Sequence, residues 1–211
     1  MKKCPDLSLY VIIDAGYLEK IHRNFRQVLI PALRAGATAI QLRAKGAGFR
    51  MFLSLAKKIR KVTSKFRVPF IINDSPSIAR LSGADGVHVG YSDMPPDEAR
   101  ACAGPGAIIG VSASDYGQAE SARSSGADYI GLGPVFETPT KISIPVRRPV
   151  LLRVLKGIKT PIVAIGGIKE YNIPDLKKSG IRNFCFISEV SGAGDVYAKV
   201  KTLKEIIDDP A

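Results

Sequence analysis

The chain has 211 residues and 45% of them are hydrophobic, so it is long and apolar enough to bury a sizeable core. Its 14 prolines and 20 glycines punctuate apolar segments, which excludes collagen-like and disordered chains. The formal net charge of +12 suits nucleic acid, anionic membranes or phosphorylated small molecules, and the charge alone does not choose among them.

Cysteine and histidine usage excludes several kinds of site. The three cysteines, Cys4, Cys102 and Cys185, are odd in number and widely spaced, so neither a disulfide framework nor a Cys-x-x-Cys pair is available. The two histidines, His22 and His88, are too few for a histidine-rich metal site. No segment approaches the ~20 apolar residues of a membrane span. We therefore expect a cytoplasmic protein that does not bind membranes.

A repeated phrase indicates an alternation of helices and strands. It begins with glycine and continues into an apolar run, and its copies start at Gly36, Gly83, Gly126 and, more loosely, Gly180. Each copy follows a helix-periodic segment, so its glycine suits the left-handed position that ends a helix, and the next residues suit a buried strand. Further β-rich runs lie at 9–13, 69–73, 107–112 and 161–165. Together these segments predict eight strands.

Helical segments separate the predicted strands. They lie near 24–35, 52–66, 76–82, 95–103, 116–125, 149–157, 172–179 and 196–208. In the segment 52–66, apolar residues recur at helical spacing and a basic run occupies the other face, which we interpret as a solvated surface. Eight alternations without a linker predict a single (β/α)8 TIM barrel spanning residues 1–211. A doubly wound sheet is the alternative, but it usually has five or six strands, and no Gly-x-Gly-x-x-Gly turn follows the first strand here.

Polar residues gather where the predicted strands end, which is where barrels carry their active sites. After the second strand, the alternation of side chains directs Gln41, Arg43 and Lys45 to one side of the chain. Two cations and an amide at this place suit a chain of phosphates, although a surface cluster is the alternative.

Two carboxylates follow the third and fourth strands. Asp74 comes after Asn73 at the end of the third strand, and Asp93 lies in the loop after the fourth. Because Mg²⁺ takes one or two carboxylates plus substrate phosphate, this pair predicts a magnesium site. Each acid also stands two residues before a proline, Pro76 or Pro95, so capping of the following helix is the alternative.

The remaining strand ends supply hydroxyl groups and flexible backbone. Ser112 ends the fifth strand, and the sixth leads into a long loop of glycine, hydroxyl and amine groups at 131–141. Gly166-Gly167 and Ser188 follow the seventh and eighth strands, where barrels often bind phosphate through backbone N–H groups. These features predict a second anion site.

Acid–base machinery is sparse in this sequence. No Ser-His-Asp arrangement is evident, and His88 is expected to pack inside the fourth strand. Cys102 falls in a helix and Cys185 in a strand, so no catalytic thiol is indicated. Two anion sites with little acid–base chemistry suggest a transfer reaction with a phosphorylated leaving group.

In combination, these motifs resemble the thiamine phosphate synthase family over nearly the whole chain. The resemblance is carried by Gln41-Leu-Arg43-Ala-Lys45, Ile72-Asn73-Asp74, Gly86-Val-His-Val-Gly90 with Asp93, the segment Gly131 to Lys141, and Ile165-Gly-Gly-Ile168. It implies a TIM barrel that couples 4-amino-5-hydroxymethyl-2-methylpyrimidine diphosphate to 4-methyl-5-(2-hydroxyethyl)thiazole phosphate. The products would be thiamine phosphate and diphosphate.

The resemblance also implies roles for individual residues. The pyrimidine diphosphate would bind Gln41, Arg43, Lys45, Asn73, Ser112 and Lys141. The thiazole phosphate would meet Thr138, Thr140, Gly167 and the backbone of Ile187 and Ser188. Asp74 and Asp93 would bind Mg²⁺, and the groups that act on the leaving diphosphate would be Arg43, Lys45, Ser112 and Lys141.

Three positions depart from the family pattern. Ala44, Ser75 and Ser114 stand where the family often has glutamate, arginine and histidine. Two alternatives stay open: a related thiazole tautomerase, which uses a histidine near position 114 as proton shuttle, and a barrel that binds phosphorylated ligands without turnover. The expected partners are phosphorylated pyrimidine and thiazole molecules and not nucleic acid, and a homo-oligomer remains open.

Overall fold

The structure is a closed barrel of parallel strands, in agreement with the predicted fold. The computed structural model describes residues 5–138 and 144–210, and within these ranges eight strands are hydrogen-bonded in chain order, with the last closing against the first. The strands are β1 Leu9–Asp14, β2 Ala39–Arg43, β3 Phe70–Asn73, β4 Gly86–Val89, β5 Ile108–Ala113, β6 Tyr129–Leu132, β7 Ile162–Ile165 and β8 Asn183–Phe186. The (β/α)8 barrel is therefore confirmed.

Helices connect the strands around the outside of the barrel. They are α1 Ala15–Lys20, α2 Phe25–Arg34, α3 Phe49–Phe66, α4 Pro76–Ser82, α5 Pro96–Ala103, α6 Tyr116–Ser124, α7 Arg148–Gly157, α8 Ile173–Lys178, α9 Ser188–Ser191 and α10 Val196–Asp208, with a 3₁₀ turn at Glu170–Asn172. The predicted helices all occur near their expected positions. The short helices α1 and α9 were not predicted, because a helix of four to six residues has too few turns to show periodicity.

The strands divide the core into two layers. Along β1, Leu9, Val11 and Ile13 pack outward against the helices, whereas Tyr10 and Ile12 point into the barrel. This alternation follows from the two-residue period of a strand. The inner layer includes two large polar-tipped side chains, Tyr10 and Tyr129, which are almost completely buried. No helix in the described part of the chain is long and apolar enough to cross a membrane.

The repeated glycine phrase has the predicted local structure. Gly36, Gly83, Gly126 and Gly180 follow the helices α2, α4, α6 and α8 and have φ values of +104°, +69°, +86° and +103°. Glycine adopts this left-handed conformation without the steric cost of a Cβ atom. The chain is thus turned from a helix into the next strand at four junctions.

The residue two positions after each of the first three glycines binds the backbone at the start of a neighbouring strand. Leu9 N donates to Thr38 Oγ1 at 2.9 Å, Phe70 N donates to Asp85 Oδ2 at 2.8 Å, and Ile109 N donates to Asp128 Oδ2 at 2.7 Å. Each bond satisfies a backbone donor at the amino-terminal end of the barrel. The repeat therefore encodes a tie between adjacent strands as well as a turn.

The two strand-linking carboxylates each also accept a hydrogen bond from an arginine. Arg60 Nη1 donates to Asp85 Oδ2 at 2.6 Å, and Arg100 Nη2 donates to Asp128 Oδ2 at 3.0 Å. Arg60 belongs to the basic run of α3 that the sequence predicted to be solvated. Most of that run is exposed, but Arg60 is half-buried in an ion pair. The solvated-face interpretation is therefore wrong for this residue, because the helix brings it over the carboxylate at the base of the barrel.

Candidate active site

A cavity of about 660 Å³ opens at the carboxyl-terminal end of the barrel. Every predicted site residue that falls within the described ranges lines it: Gln41, Arg43, Lys45, Asn73, Asp74, Asp93, Ser112, Thr138, Gly167, Ile187 and Ser188. Two further predicted residues, Thr140 and Lys141, lie outside the described residues. The strand-end positions deduced from the sequence thus converge on one site.

The two cations at the end of β2 are held by carboxylates. Arg43 forms an ion pair with Asp14, a nearly fully buried residue at the end of β1. Lys45 lies 3.6 Å from Asp74, between Nζ and Oδ2, and most of its side chain is exposed. The sequence reasoning missed Asp14. Its position at the end of a buried strand is the same signal that identified Asp74.

Asp74 and Asp93 share the cavity, and neither caps a helix. Asp74 has a φ of +61°, a conformation that aspartate tolerates better than most residues. Asp93 Oδ2 accepts a hydrogen bond from Gly90 N at 2.8 Å. The cap of α4 is Ser75, whose hydroxyl accepts from Ile78 N at 3.3 Å, and α5 begins after Pro95 with no side-chain cap. The capping interpretation is therefore wrong for both acids.

The electrostatics of the two acids are coupled. Burial raises the pKa of Asp74, the positive charge of Lys45 lowers it, and the negative charge of Asp93 raises it again. The net shift is upward from the ordinary value, and burial is its largest cause. Within the described residues, no group of three or more histidine, cysteine, aspartate or glutamate side chains could hold a metal ion. The pair offers two carboxylates, which fits Mg²⁺ completed by substrate phosphate and water.

A chain of hydrogen bonds crosses the floor of the cavity. Gln41 Nε2 donates to the Tyr10 hydroxyl at 2.8 Å, and the hydroxyls of Tyr10 and Tyr129 are 3.0 Å apart. His88 Nδ1 lies 3.0 Å from the Tyr129 hydroxyl, and His88 Nε2 lies 3.0 Å from Ser112 Oγ. This chain links β2 to β5 through the inside of the barrel.

The hydrogen bonds of His88 depend on its protonation state. Burial lowers the pKa of His88 to about 4, although the charge of Asp93 opposes this shift, so the ring is neutral at pH 7. A neutral imidazole donates from one nitrogen and accepts at the other. Gln41 Nε2 donates to the Tyr10 hydroxyl, and either tyrosine hydroxyl can donate to the other. The neutral ring of His88 donates to one of its two partners, Tyr129 and Ser112, and accepts from the other.

The packing of His88 was predicted, but its partners were not. Tyr10 and Tyr129 carry no motif, and only the closure of the barrel places their hydroxyls together. Cys185 also lines the cavity, and burial raises the pKa of its thiol. The thiol is therefore protonated and a poor nucleophile, as the sequence indicated.

The glycine pair after β7 supports the loop that follows β6. Gly166 and Gly167 have φ values of +94° and +67°. A Cβ atom at Gly166 would collide with Pro134, and one at Gly167 would lie 2.7 Å from the Phe136 Cβ. Val135 N donates to Ile165 O at 2.9 Å, which fixes the two segments to each other. The close approach predicted at Gly-Gly thus includes another loop of the same chain.

The loops after β7 and β8 carry an ion-pair cluster that sequence reasoning missed. Lys169 and Glu189 line the cavity, and Lys169 Nζ donates to Glu189 Oε2 at 3.0 Å. Lys199 Nζ, from α10, donates to Glu189 Oε1 at 3.0 Å and to Glu170 Oε1 at 2.5 Å. Glutamate next to Ser188 gave a signal for such a cluster, but its cations come from distant parts of the chain.

Two of the three departures from the family pattern, Ser75 and Ser114, have a local structural role, and nothing in the structure explains Ala44. Ala44 is buried beside the β2 cations, and Ser75 is the cap of α4. Ser114 Oγ donates to Gln118 Oε1 at 3.1 Å, and its backbone N–H donates to the same oxygen at 2.8 Å. Ser114 is thus committed to the start of α6 and offers no proton shuttle.

Comparisons with known proteins agree with the motifs and the cavity. The family model described as thiamine monophosphate synthase matches residues 9–190. A thiamine-phosphate synthase of Pelotomaculum thermopropionicum is 42% identical over 187 residues, covering 88% of this chain and 86% of the relative. One of Ruminiclostridium cellulolyticum is 37% identical, and the match covers the whole of both chains.

Solved structures give the same result. A thiamine phosphate pyrophosphorylase from Pyrococcus furiosus superposes with a TM-score of 0.87 at 35% sequence identity, with 96% of each chain covered. The chain therefore belongs to the thiamine monophosphate synthase family of transferases.

Proposed function

We propose that the protein joins 4-amino-5-hydroxymethyl-2-methylpyrimidine diphosphate to 4-methyl-5-(2-hydroxyethyl)thiazole phosphate, releasing diphosphate and forming thiamine phosphate. The observation that carries this proposal is the single cavity that gathers the predicted ligands of both substrates. In this reaction the bond between the pyrimidine methylene carbon and the diphosphate oxygen breaks, and its electron pair leaves with diphosphate. The thiazole nitrogen then forms the new bond to that carbon.

The diphosphate end of the site lies at the ends of β2, β3 and β5. Arg43 and Lys45 provide positive charge, Asn73 provides an amide, and Ser112 provides a hydroxyl. These groups bind a leaving group whose negative charge increases as the carbon–oxygen bond breaks, so they act more strongly on the transition state than on the substrate. Lys141 would join them and lies outside the described residues.

Asp74 and Asp93 fit a divalent cation at this end. Their common place in the cavity and the repulsion between their charges support the assignment. Mg²⁺ bound there would supply positive charge to the departing diphosphate. The acids would hold the ion and exclude a second anion from their side of the cavity.

The thiazole phosphate end lies across the cavity. Thr138, Gly167 and the backbone of Ile187 and Ser188 line it, and Thr140 would complete it from outside the described residues. Both ends belong to one cavity, so the pyrimidine and thiazole rings can meet between them. Neutral His88 and the protonated Cys185 supply no strong base, and this substitution requires none.

The other expectations remain proposals. We expect the enzyme in the cytoplasm, in keeping with Cys102 and Cys185, which form no disulfide in the described part of the chain. We expect phosphorylated small molecules rather than nucleic acid as partners, because the cations used at the cavity are few and individually paired. A tautomerase is not favoured, since Ser114 is bonded to Gln118.

The test is a product assay with both substrates. Incubation of the protein with the pyrimidine diphosphate, the thiazole phosphate and Mg²⁺ should form thiamine phosphate, detected by chromatography, and diphosphate in equal amount. Folded protein that binds both substrates without forming product would support the non-catalytic alternative and overturn the proposal.

The metal assignment has its own test. Asp74→Ala and Asp93→Ala should each raise the Mg²⁺ concentration for half-maximal rate by about tenfold or more, because each removes one of two charged ligands. Asp175→Ala is the matched control, since this acid lies on α8 with 72% of its side chain exposed and does not line the cavity. Wild-type magnesium titrations in both cavity variants would remove the assignment.

A further inference from the structure

We propose that Lys169 is an additional ligand of the thiazole phosphate, and that it exchanges its ion pair with Glu189 for the phosphate when the substrate binds. This inference rests on the proposed function for the identity of the substrate. A phosphate monoester would draw Lys169 away from Glu189, with which it is paired in the structure.

The backbone that carries Lys169 is fixed. Asn172 is almost fully buried, its Oδ1 accepts from Lys169 N at 2.8 Å, and its Nδ2 donates to Gly167 O at 3.0 Å. One side chain therefore fixes both ends of the segment 167–169. Since Gly167 belongs to the phosphate end of the site, the root of the Lys169 side chain is held beside that end.

The ion pair bridges the two loops that form the phosphate end. Lys169 follows β7, Glu189 directly follows Ser188 after β8, and all three line the cavity. About half of the Lys169 side chain is exposed, whereas 14% of the Glu189 side chain is. The lysine is thus the more exposed partner, and its flexible side chain lines the open cavity.

Glu189 does not depend on Lys169 alone. Burial opposes its ionisation, but hydrogen bonds from Lys169 and Lys199 lower the pKa of Glu189 below its ordinary value. Lys199 is 25% exposed and is also held by Glu170 at 2.5 Å. When Lys169 turns away, Glu189 keeps Lys199, so the exchange does not leave a buried carboxylate unpaired.

The charges make the exchange favourable for a phosphate. The charges of two lysines and two glutamates balance one another in this cluster. A phosphate next to Ser188 approaches the Glu189 carboxylate, and a cation placed between the two anions removes their repulsion. An ammonium group has three donor protons, so Lys169 can also keep a bond to Glu189 during part of this movement.

The experiment measures binding of inorganic phosphate by calorimetry in the presence of Mg²⁺ and excess diphosphate, which occupies the opposite end of the cavity. Lys169→Met should weaken phosphate binding about tenfold, and Lys169→Arg should restore most of it. Glu189→Gln should tighten phosphate binding severalfold, because it removes the competing anion. Lys178→Met is the control, since this exposed lysine pairs with Asp175 on α8 and does not line the cavity.

Kinetics give a second readout. Lys169→Met should raise the KM for the thiazole phosphate about tenfold while the KM for the pyrimidine diphosphate stays unchanged. Unchanged phosphate binding and unchanged KM in Lys169→Met would overturn the inference, and equal or weaker phosphate binding in Glu189→Gln would overturn the exchange. If the wild type makes no thiamine phosphate while phosphate binding still depends on Lys169, the proposed function fails and the ligand assignment stands.

Discussion

The neutral state of His88 predicts a specific loss of stability in acid. The folded protein holds the pKa of His88 at about 4, against 6.5 for the exposed side chain, because the ring is desolvated between Tyr129 and Ser112. Between these two pH values, His88 is protonated in the unfolded chain but not in the folded chain. The stability that neutral His88 contributes is therefore complete above pH 6.5 and is lost as the pH falls towards 4.

The size of the effect follows from the shift. At 1.36 kcal/mol for each pKa unit, the whole shift corresponds to about 3 kcal/mol, and about 2 kcal/mol of it is lost at pH 5. Urea denaturation at pH 7.5 and pH 5.0 measures this loss. His88→Gln, which keeps a donor and an acceptor without a titratable ring, should lose about 2 kcal/mol less than the wild type over the same interval.

Nuclear magnetic resonance reports the same pKa without unfolding the protein. The chain has two histidines, so His22→Gln assigns the ring signals of both. The His88 signal should titrate with a midpoint near 4. A midpoint near 6.5, or equal acid destabilisation of the wild type and His88→Gln, would refute the neutral, desolvated state of His88 in the folded protein.

Two further predictions concern the ends of the barrel. Asp85→Ala should lower the free energy of unfolding by about 2–3 kcal/mol, because it leaves Phe70 N without its acceptor and Arg60 without its ion pair. Asp85→Asn should lower the free energy of unfolding by less. Equal urea midpoints for Asp85→Ala and the wild type would contradict this role. Gly167→Ala should lower the free energy of unfolding by about 1–3 kcal/mol, because of the positive φ at this position and the contact with Phe136. It should also raise the KM for the thiazole phosphate more than the KM for the pyrimidine diphosphate. An equal rise in both KM values would contradict the assignment of this loop.

The sequence predicts the barrel well because the repeated phrase encodes its junctions locally. A glycine that ends a helix and an apolar run that forms the next strand are both visible within seven residues, as at Gly83 and Gly126. The predicted strand-end residues reached one cavity for the same reason: parallel strands of a barrel bring their carboxyl ends together. Asp74 and Asp93 needed only their positions along the chain to be placed there.

The missed features depend on contacts between distant segments. Tyr10 and Tyr129 are 119 positions apart, and their hydroxyls meet only after the barrel has closed. Arg43 and its partner Asp14 are 29 positions apart, and Lys169 and its partner Glu189 are 20 positions apart. A single sequence displays residue types and spacing, but it does not display which of several nearby charges will be partners. The partners in such pairs can be identified only when the register of the strands is known.

The ties at the base of the barrel have a consequence for how variants are interpreted. The bonds from Thr38, Asp85 and Asp128 hold the amino-terminal ends of the strands, at the opposite end from the cavity. The residues that hold this base are therefore different from those that line the cavity. An altered side chain at the open end can abolish catalysis in a molecule that still closes its barrel. The inactive molecule then serves as a folded receptor on which each substrate can be bound and measured alone.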